Sequence, residues 1–389
     1  MDKPRVHIAR RMADIEPFHV MDLLARARRL EAAGRRIVHL EIGEPGFPTP
    51  EPIMEAGRKA LADGHTHYTP AVGLPALREA IAGFYRDRHG VDVSPERIII
   101  TPGASGALLL VMAVLLDPGD QVLMADPGYP CNRHFVRTFE GQAVAVPVGP
   151  DTAYQLTAEH LESRWGNRSV AAMVASPANP TGTLVPVETM KRMLDFTAAR
   201  SGRLIVDEIY HGLVYDDEAV TALAYSRDVF VINSFSKYFG MTGWRLGWIV
   251  APEDYVRAID KLAQNLFLAA PTPAQHAALA AFRPETLEIL DARREAFRER
   301  RDFLLPALRE LGFGIPVTPE GAFYIYADSS AFDADSQRLA ERLLEEAGVA
   351  ITPGLDFGHY RPEAHVRFAY TREIGELQEG VERLRRSLD

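Results

Sequence analysis

Residues 233–248 read N-S-F-S-K-Y-F-G-M-T-G-W-R-L-G-W. The stretch is neither a clean strand nor a clean helix. It follows the apolar run V-F-V-I-N (229–233) and leads into a second one, G-W-I-V (247–250). Lys237 stands between Ser236 and Tyr238 where a buried strand should end, and Arg245 follows among glycines and tryptophans. A charge there costs free energy unless something partners it. The surrounding sequence indicates what that partner is.

Working outward, short runs rich in β-branched residues recur at 97–101 (R-I-I-I-T), 121–125 (Q-V-L-M-A), 143–147 (A-V-A-V-P), 170–175 (V-A-A-M-V-A) and 203–207 (R-L-I-V-D). Amphipathic segments such as 104–116 and 186–200 separate most of them. Strands buried on both faces and alternating with helices predict an α/β fold with a mainly parallel sheet sandwiched by helices. Past about residue 280 the texture changes. A charged helical segment (284–311) leads to F-Y-I-Y-A (323–327), a helix near 336–347, H-V-R-F-A-Y (365–370) and a terminal helix. This predicts a large domain over 46–280 and a smaller α+β domain over 281–389. The segment 1–45, helical from about 19 to 34, is expected to pack with the smaller domain.

Composition narrows the function. The 389 residues are 47% apolar and 25% charged, enough for two domains with a large core. The net charge of −10 argues against a nucleic-acid or membrane-surface partner. Early arginines (Arg10, Arg11, Arg26, Arg28, Arg29, Arg35, Arg36) are interspersed with acids and read as a solvated helix face. Cys131 is the single cysteine, which excludes an intrachain disulfide or thiolate metal site and fits a reducing compartment. There is no apolar leader and no run near ~18 apolar residues, so a cytoplasmic protein is expected. No H-E-x-x-H is present, and His65 and His67 read as solvated turn residues, so no metal is expected.

In a parallel sheet, ligands bind beyond the carboxyl ends of the strands. Polar clusters stand immediately after five proposed strands: 101–105, 126–129, 176–181, 207–210 and 234–237. T-P-G-A-S-G-A-L (101–108) is a Gly-rich turn opening a helix, suited to an anion but equally to simple capping. Ser234, Ser236 and Arg245 add two hydroxyls and a planar fork of donors, which suits a phosphate. Of five lysines (Lys3, Lys59, Lys191, Lys237, Lys261), only Lys237 follows a buried strand. Desolvation and cationic neighbours would make it a nucleophilic amine; taken alone it reads as a salt-bridged strand end. Asp207 ends an apolar strand and needs a partner, either a helix cap or the N–H⁺ of an electron-poor ring. Tyr210 and Asn179 can hydrogen-bond a phenolate oxygen, and Tyr129 can stack on a ring; packing and turn formation are the plainer readings. Together these groups describe a pocket for pyridoxal 5′-phosphate (PLP).

The chain resembles the fold-type I, PLP-dependent aminotransferases of class I/II, in the branch with bacterial and archaeal aspartate, aromatic and alanine-type enzymes. The likeness spans nearly the whole length: L-E-I-G-E-P-G-F-P-T-P (40–50), Y-T-P-A-V-G-L-P-A-L-R-E-A-I-A (68–82), G-A-S-G-A-L (103–108), D-P-G-Y-P (126–130), S-P-A-N-P-T-G (176–182), D-E-I-Y (207–210), S-F-S-K-Y-F-G-M-T-G-W-R-L-G-W (234–248) and V-R-F-A-Y (366–370). The resemblance implies that Lys237 carries the cofactor as a Schiff base and that Asp207 pairs with the ring nitrogen. It implies Tyr210 and Asn179 on the 3-hydroxyl and Tyr129 stacked on the ring. Phosphate is expected at the Ala104 and Ser105 backbone, Ser234, Ser236 and Arg245. Tyr68 is expected to reach the phosphate of the neighbouring subunit, making the active unit a homodimer. Arg367 is expected to hold the substrate α-carboxylate, assisted by Asn179 and the Gly43 backbone.

Two departures bear on specificity. Many relatives read G-E-P-D-F where this chain has Gly46, which removes a polar side chain near the substrate entrance. Some dicarboxylate-specific relatives carry lysine at the position of Ser105, so strict aspartate specificity is not expected. Phe18, where the N-terminal segment should cross the site, favours an apolar amino donor.

The expected reaction is transamination between an L-amino acid and a 2-oxo acid such as 2-oxoglutarate, with ping-pong kinetics. A PLP-dependent β-lyase of the same fold stays open, because pocket residues separate the two. A non-catalytic PLP-binding regulator is the remote alternative. Such proteins carry a DNA-binding domain, whereas this acidic chain enters the enzyme fold within about forty residues.

Overall fold

The computed structural model describes residues 7–216 and 219–388; Lys3 and the first part of the N-terminal segment fall outside them. Twelve strands are used below. β1 is Val38–His39, β2 Ile98–Thr101, β3 Gln121–Asp126, β4 Gln142–Pro147, β5 Ser169–Ala175 and β6 Arg203–Asp207. β7 is Phe230–Ser234, β8 Gly247–Val250, β9 Tyr324–Asp328, β10 Val349–Ala350, β11 Thr352–Pro353 and β12 His365–Ala369.

β2 to β8 form one sheet in the order β2-β8-β7-β6-β5-β3-β4. β3, β4, β5, β6 and β7 pair in parallel, as their all-apolar runs predict. Val206, Val231, Ile232 and Ile249 are wholly buried, with helices on both faces. The expected mainly parallel sheet is present, with one reversal: β8 runs antiparallel to both β2 and β7. The segment 235–246 carries one short 3₁₀ turn at Thr242–Trp244 and no crossover helix, so the chain returns beside the strand it left.

The turn that reverses it is anchored by aromatics. Phe235 and Trp248 are fully buried with ring centroids 5.0 Å apart, and Phe239 and Phe282 join them. Each buried ring contributes about 2 kcal/mol. The Phe235 N–H donates to Leu246 O at 3.0 Å and closes the loop that presents Lys237. Gly247 matters at the other end. A Cβ there would lie 2.8 Å from the Gly103 carbonyl carbon and 2.9 Å from Ala104 N. Its register pairs it with Thr101 on one side and Ser234 on the other. The glycine therefore lets the start of the helix Gly103–Leu115 come up against the end of β7.

The C-terminal part carries a second sheet, β11-β12-β9, and β1 pairs in parallel with β10. The helix His19–Ala32 is capped from there: Asp356 accepts from His19 N–H at 2.8 Å and Val20 N–H at 2.9 Å. At its other end Glu31 lies 3.1 Å from His39 Nε2, whose Nδ1 is 2.7 Å from Glu41. No helix among the described residues is long and apolar enough to cross a membrane.

Candidate active site

A cavity of about 470 Å³ opens at the carboxyl ends of β5, β6 and β7. Ala104, Ser105, Tyr129, Asn179, Asp207, Tyr210, Ser234, Ser236, Lys237, Arg245, Arg367, Gly43 and Phe18 all line it. Tyr68 does not. It is 83% exposed, on a loop tied down where Thr272 donates to His67 O at 2.7 Å.

Lys237 Nζ donates to Gly43 O at 2.6 Å and sits 5.7 Å from the ring centres of Tyr210 and Phe323. Burial, and then the positive charge of Arg367, lower its amine to about 8. In D-E-I-Y both acids are buried, but their surroundings differ. Glu208 turns to the following loop, accepting from Thr221 Oγ1 at 2.9 Å and Ala222 N–H at 2.8 Å. Asp207 lines the cavity and takes only the Ile209 N–H, at 3.0 Å. No cation within ion-pair distance meets it among the described residues, and burial pushes its carboxyl up to about 6.

Arg367 is buried and much of its donor capacity is already directed. Nη1 donates to Asn179 Oδ1 at 2.9 Å, and Nη2 to Glu41 O at 2.7 Å and Thr352 Oγ1 at 3.2 Å. Its Nε has no partner, an orphaned donor in a place where one is costly. The guanidinium carbon lies 4.2 Å from the Tyr324 ring centre. Tyr324 is the site residue that sequence reading missed. Its hydroxyl is 2.8 Å from Tyr210 OH, so Tyr210 is tied to a second phenol. Gly43 makes room for it: a Cβ there would lie 2.5 Å from Tyr324 OH. F-Y-I-Y-A announces a strand, but no residue in it marks which face meets the cavity. Val20, Met21, Leu24 and Arg28 of the N-terminal helix also line the cavity unannounced, since they read as an ordinary amphipathic face. Gly46 is not in the lining; a Cβ there would collide with the Thr371 carbonyl oxygen.

Several features fit PLP. The helix Gly103–Leu115 starts with no side-chain cap, so its first N–H groups are open to an anion. Arg245 packs against the same helix start, its guanidinium 2.6 Å from where a Gly103 Cβ would be. A guanidinium facing a helix N-terminus is unfavourable without an anion between them, and a phosphate dianion satisfies both. Ser234 Oγ lies 3.0 Å from Ser236 Oγ beside them. Asp207, a buried carboxylate with no cation, suits a ring N–H⁺, and Lys237 is a lone amine of lowered basicity.

Comparison with known proteins agrees. The aminotransferase class I and II family matches residues 35–384. The chain is 42% identical over 376 residues to a valine–pyruvate aminotransferase of Mycobacterium tuberculosis, covering 96% of each. It is 36% identical over 384 residues to an aspartate/prephenate aminotransferase of Thermus thermophilus, covering 98% of each. A crystal structure of an aminotransferase from Mycobacterium tuberculosis superposes with a TM-score of 0.95 at 40% identity, covering 99% of both chains. The chain belongs to the class I and II aminotransferases, and it is a PLP-dependent transaminase of fold type I.

Proposed function

We propose that the protein transfers the amino group of an L-amino acid with an apolar side chain to a 2-oxo acid, 2-oxoglutarate among them, by alternating half-reactions. The observation that carries this reading is the shared cavity: a buried arginine with an orphaned N–H, a lysine of lowered basicity and an uncompensated buried carboxylate all face one space of about 470 Å³. Bound PLP supplies an electrophilic carbon for the amine and a ring that withdraws electrons from the substrate Cα.

The chain does the rest. Arg367 holds the α-carboxylate, spending its free N–H on it while Asn179 and the Glu41 carbonyl fix its plane. That places the Cα–H near Lys237, whose Nζ, lowered to about 8, takes the proton and later returns it. Asp207 keeps a proton on the ring nitrogen opposite. Tyr210 and Asn179 address the ring oxygen, and Tyr129 covers the ring face. The uncapped helix start at Ala104–Ser105, with Ser234, Ser236 and Arg245, holds phosphate. The apolar wall of Phe18, Val20, Met21 and Leu24 supports a donor with an apolar side chain.

The active unit is a homodimer in this reading, in which the exposed Tyr68 reaches the phosphate of the neighbouring subunit. Among the described residues, the N-terminal segment from 7 to 45 packs with the small domain that follows residue 280, and a single cysteine suits the cytoplasm. The test is a panel of amino acids added to the PLP-loaded protein while the cofactor absorbance is followed. Conversion to the pyridoxamine form by apolar donors, reversed by a 2-oxo acid, is the expected result. Release of pyruvate and ammonia without an oxo-acid acceptor would replace it with a β-lyase.

A further inference from the structure

We propose that a second cavity, walled by Tyr154, Tyr326 and His365, binds a free α-amino acid with a flat apolar side chain, at a site separate from that of transamination.

This cavity has a volume of about 590 Å³, within the range of small-molecule sites. It opens between residues 127–160, around the ends of β3 and β4, and residues 312–365, around β9 and β12. It shares no lining residue with the cavity of Lys237 and Arg367.

Three buried side chains present polar atoms to it. Tyr154, Tyr326 and His365 are 7%, 5% and 7% exposed. Tyr326 stacks on His365 with ring centres 4.7 Å apart, and Tyr154 meets Tyr326 edge-on at 5.9 Å. Among the described residues, neither phenol hydroxyl has a hydrogen-bond partner. His365 Nδ1 lies 3.0 Å from Arg361 O, so the other ring nitrogen is the one left for a ligand. Burial raises both phenols and lowers the imidazole, so all three are neutral groups ready to hydrogen-bond. Buried polar groups ordinarily find a partner inside the protein. Here three of them line one space instead.

The charges on the wall select the ligand. Arg361 meets Asp328 at 3.3 Å, and Asp151 lies beside them on the lining. His160 is the remaining titratable group, with Nδ1 3.3 Å from Thr157 Oγ1. An ion pair on a cavity wall complements a zwitterion: the ligand carboxylate goes to Arg361 and its ammonium to Asp328 or Asp151. A plain anion meets two carboxylates, and a plain cation leaves the guanidinium and the phenols unused. Pro127, Pro147, Pro150 and Pro316 supply apolar wall for the ligand side chain. Tyr154 and Arg361 also hold φ of 59° and 52°, the left-handed region that is unfavourable for a residue with a side chain.

The wall continues to the substrate arginine. Tyr326 pairs across the sheet with Arg367, and His365 precedes Arg367 by two residues on the same face. Phe357 touches both sides: its ring centre is 6.0 Å from that of Tyr326 and 4.9 Å from the Arg367 guanidinium carbon. A bound amino acid braces residues 147–160 against the strand that carries Arg367.

The experiment uses the PLP-loaded protein with its active site filled by aminooxyacetate, completeness being followed by the cofactor absorbance. Three probes are titrated calorimetrically: L-phenylalanine, 3-phenylpropanoate and 2-phenylethylamine, which share a ring and differ in their charged groups. L-Phenylalanine should bind with one equivalent per chain and raise Tm. Each single-charge analogue should bind at least about tenfold more weakly, the loss of one charge-assisted contact. Tyr326→Phe keeps the ring stack and removes a hydroxyl, and should weaken binding about threefold to tenfold. Arg361→Gln should weaken it about tenfold or more. Arg86→Gln, exposed and outside the lining, should match wild type.

Absence of binding to the blocked wild type at up to about 10 mM phenylalanine would overturn the proposal. So would equal binding of the three probes, or binding that neither Tyr326→Phe nor Arg361→Gln weakens. Each variant is read with native circular dichroism, and if Tyr326→Phe fails to fold, Arg361→Gln on the exposed ion pair decides alone. None of these outcomes touches the transamination reading, which concerns the other cavity.

Discussion

Asp207 stands at an uncomfortable place for an anion when nothing occupies the cavity. Burial raises its carboxyl to about 6, so in the cofactor-free protein it keeps its proton up to about pH 6 and is ionised at a cost above that. Its contribution to stability is present below the ordinary carboxylate range and is lost as pH rises through about 6. A shift of this size corresponds to an unfavourable contribution on the order of 2–3 kcal/mol at pH 8. Cofactor-free Asp207→Asn should therefore melt higher than wild type at pH 8 and show no such gain at pH 4, followed by urea titration at both. The same variant should lose about 10²–10³-fold in kcat, because the ring nitrogen loses its counter-charge. Lys237→Ala should fold, bind PLP non-covalently and lose at least about 10³-fold in turnover, measured by steady-state assay on a preparation with native circular dichroism. Both residues were legible because a charge that ends an apolar run has few explanations. Tyr324 was not. Alternation in F-Y-I-Y-A shows that Tyr324 and Tyr326 share a face, but the cavity is defined by strands from distant parts of the chain.

At the level of elements, the helix His19–Ala32 is held at both ends. Asp356 accepts two N–H groups at its start, and Glu31, His39 and Glu41 form a chain at its end. Removing the cap with Asp356→Ala should cost about 1–2 kcal/mol and raise KM more than it lowers kcat, since the roof and not the lysine is disturbed. The other latch depends on pH. The hydrogen bond to Glu41 is the largest influence raising the His39 pKa, outweighing the opposing effect of burial. The stability His39 contributes is complete below the ordinary histidine value and fades as pH climbs through the raised one. Tryptic cleavage within Arg26–Arg29 should accelerate as pH rises past that point, and His39→Gln should flatten the dependence. Most elements were legible, with boundaries within a residue or two, because β-branched runs and amphipathic segments alternate cleanly. The direction of β8 was not: G-W-I-V reads the same either way, and the short segment before it, not its own residues, reverses it. The pairing of Val38–His39 with Val349–Ala350 was also hidden, since two residues carry no periodicity.

For the whole molecule, the placement of Tyr68 sets a sharp expectation. It is 83% exposed and absent from the cavity of its own chain. If it completes the site of a second copy, mixing two inactive variants should restore activity. In a Tyr68→Ala/Lys237→Ala hybrid, one of the two sites has both native residues. Random exchange of subunits should then recover about a quarter of wild-type activity, while either variant alone stays impaired. No recovery after verified exchange would remove Tyr68 from the site. A sequence can suggest such a residue only through resemblance, because nothing local distinguishes an exposed tyrosine that will be buried by another chain from one that will not.

The floor of the cavity is made of strand ends, whereas its ceiling is a helix fastened by Asp356 to a different part of the chain. In the function proposed above, chemistry and discrimination are thus housed in separable pieces. Exchanging residues 17–30 among homologues should retune which side chains are welcomed while leaving the spectrum of the resting cofactor untouched, so new preferences can arise through inheritance of a lid without risk to the reaction beneath it.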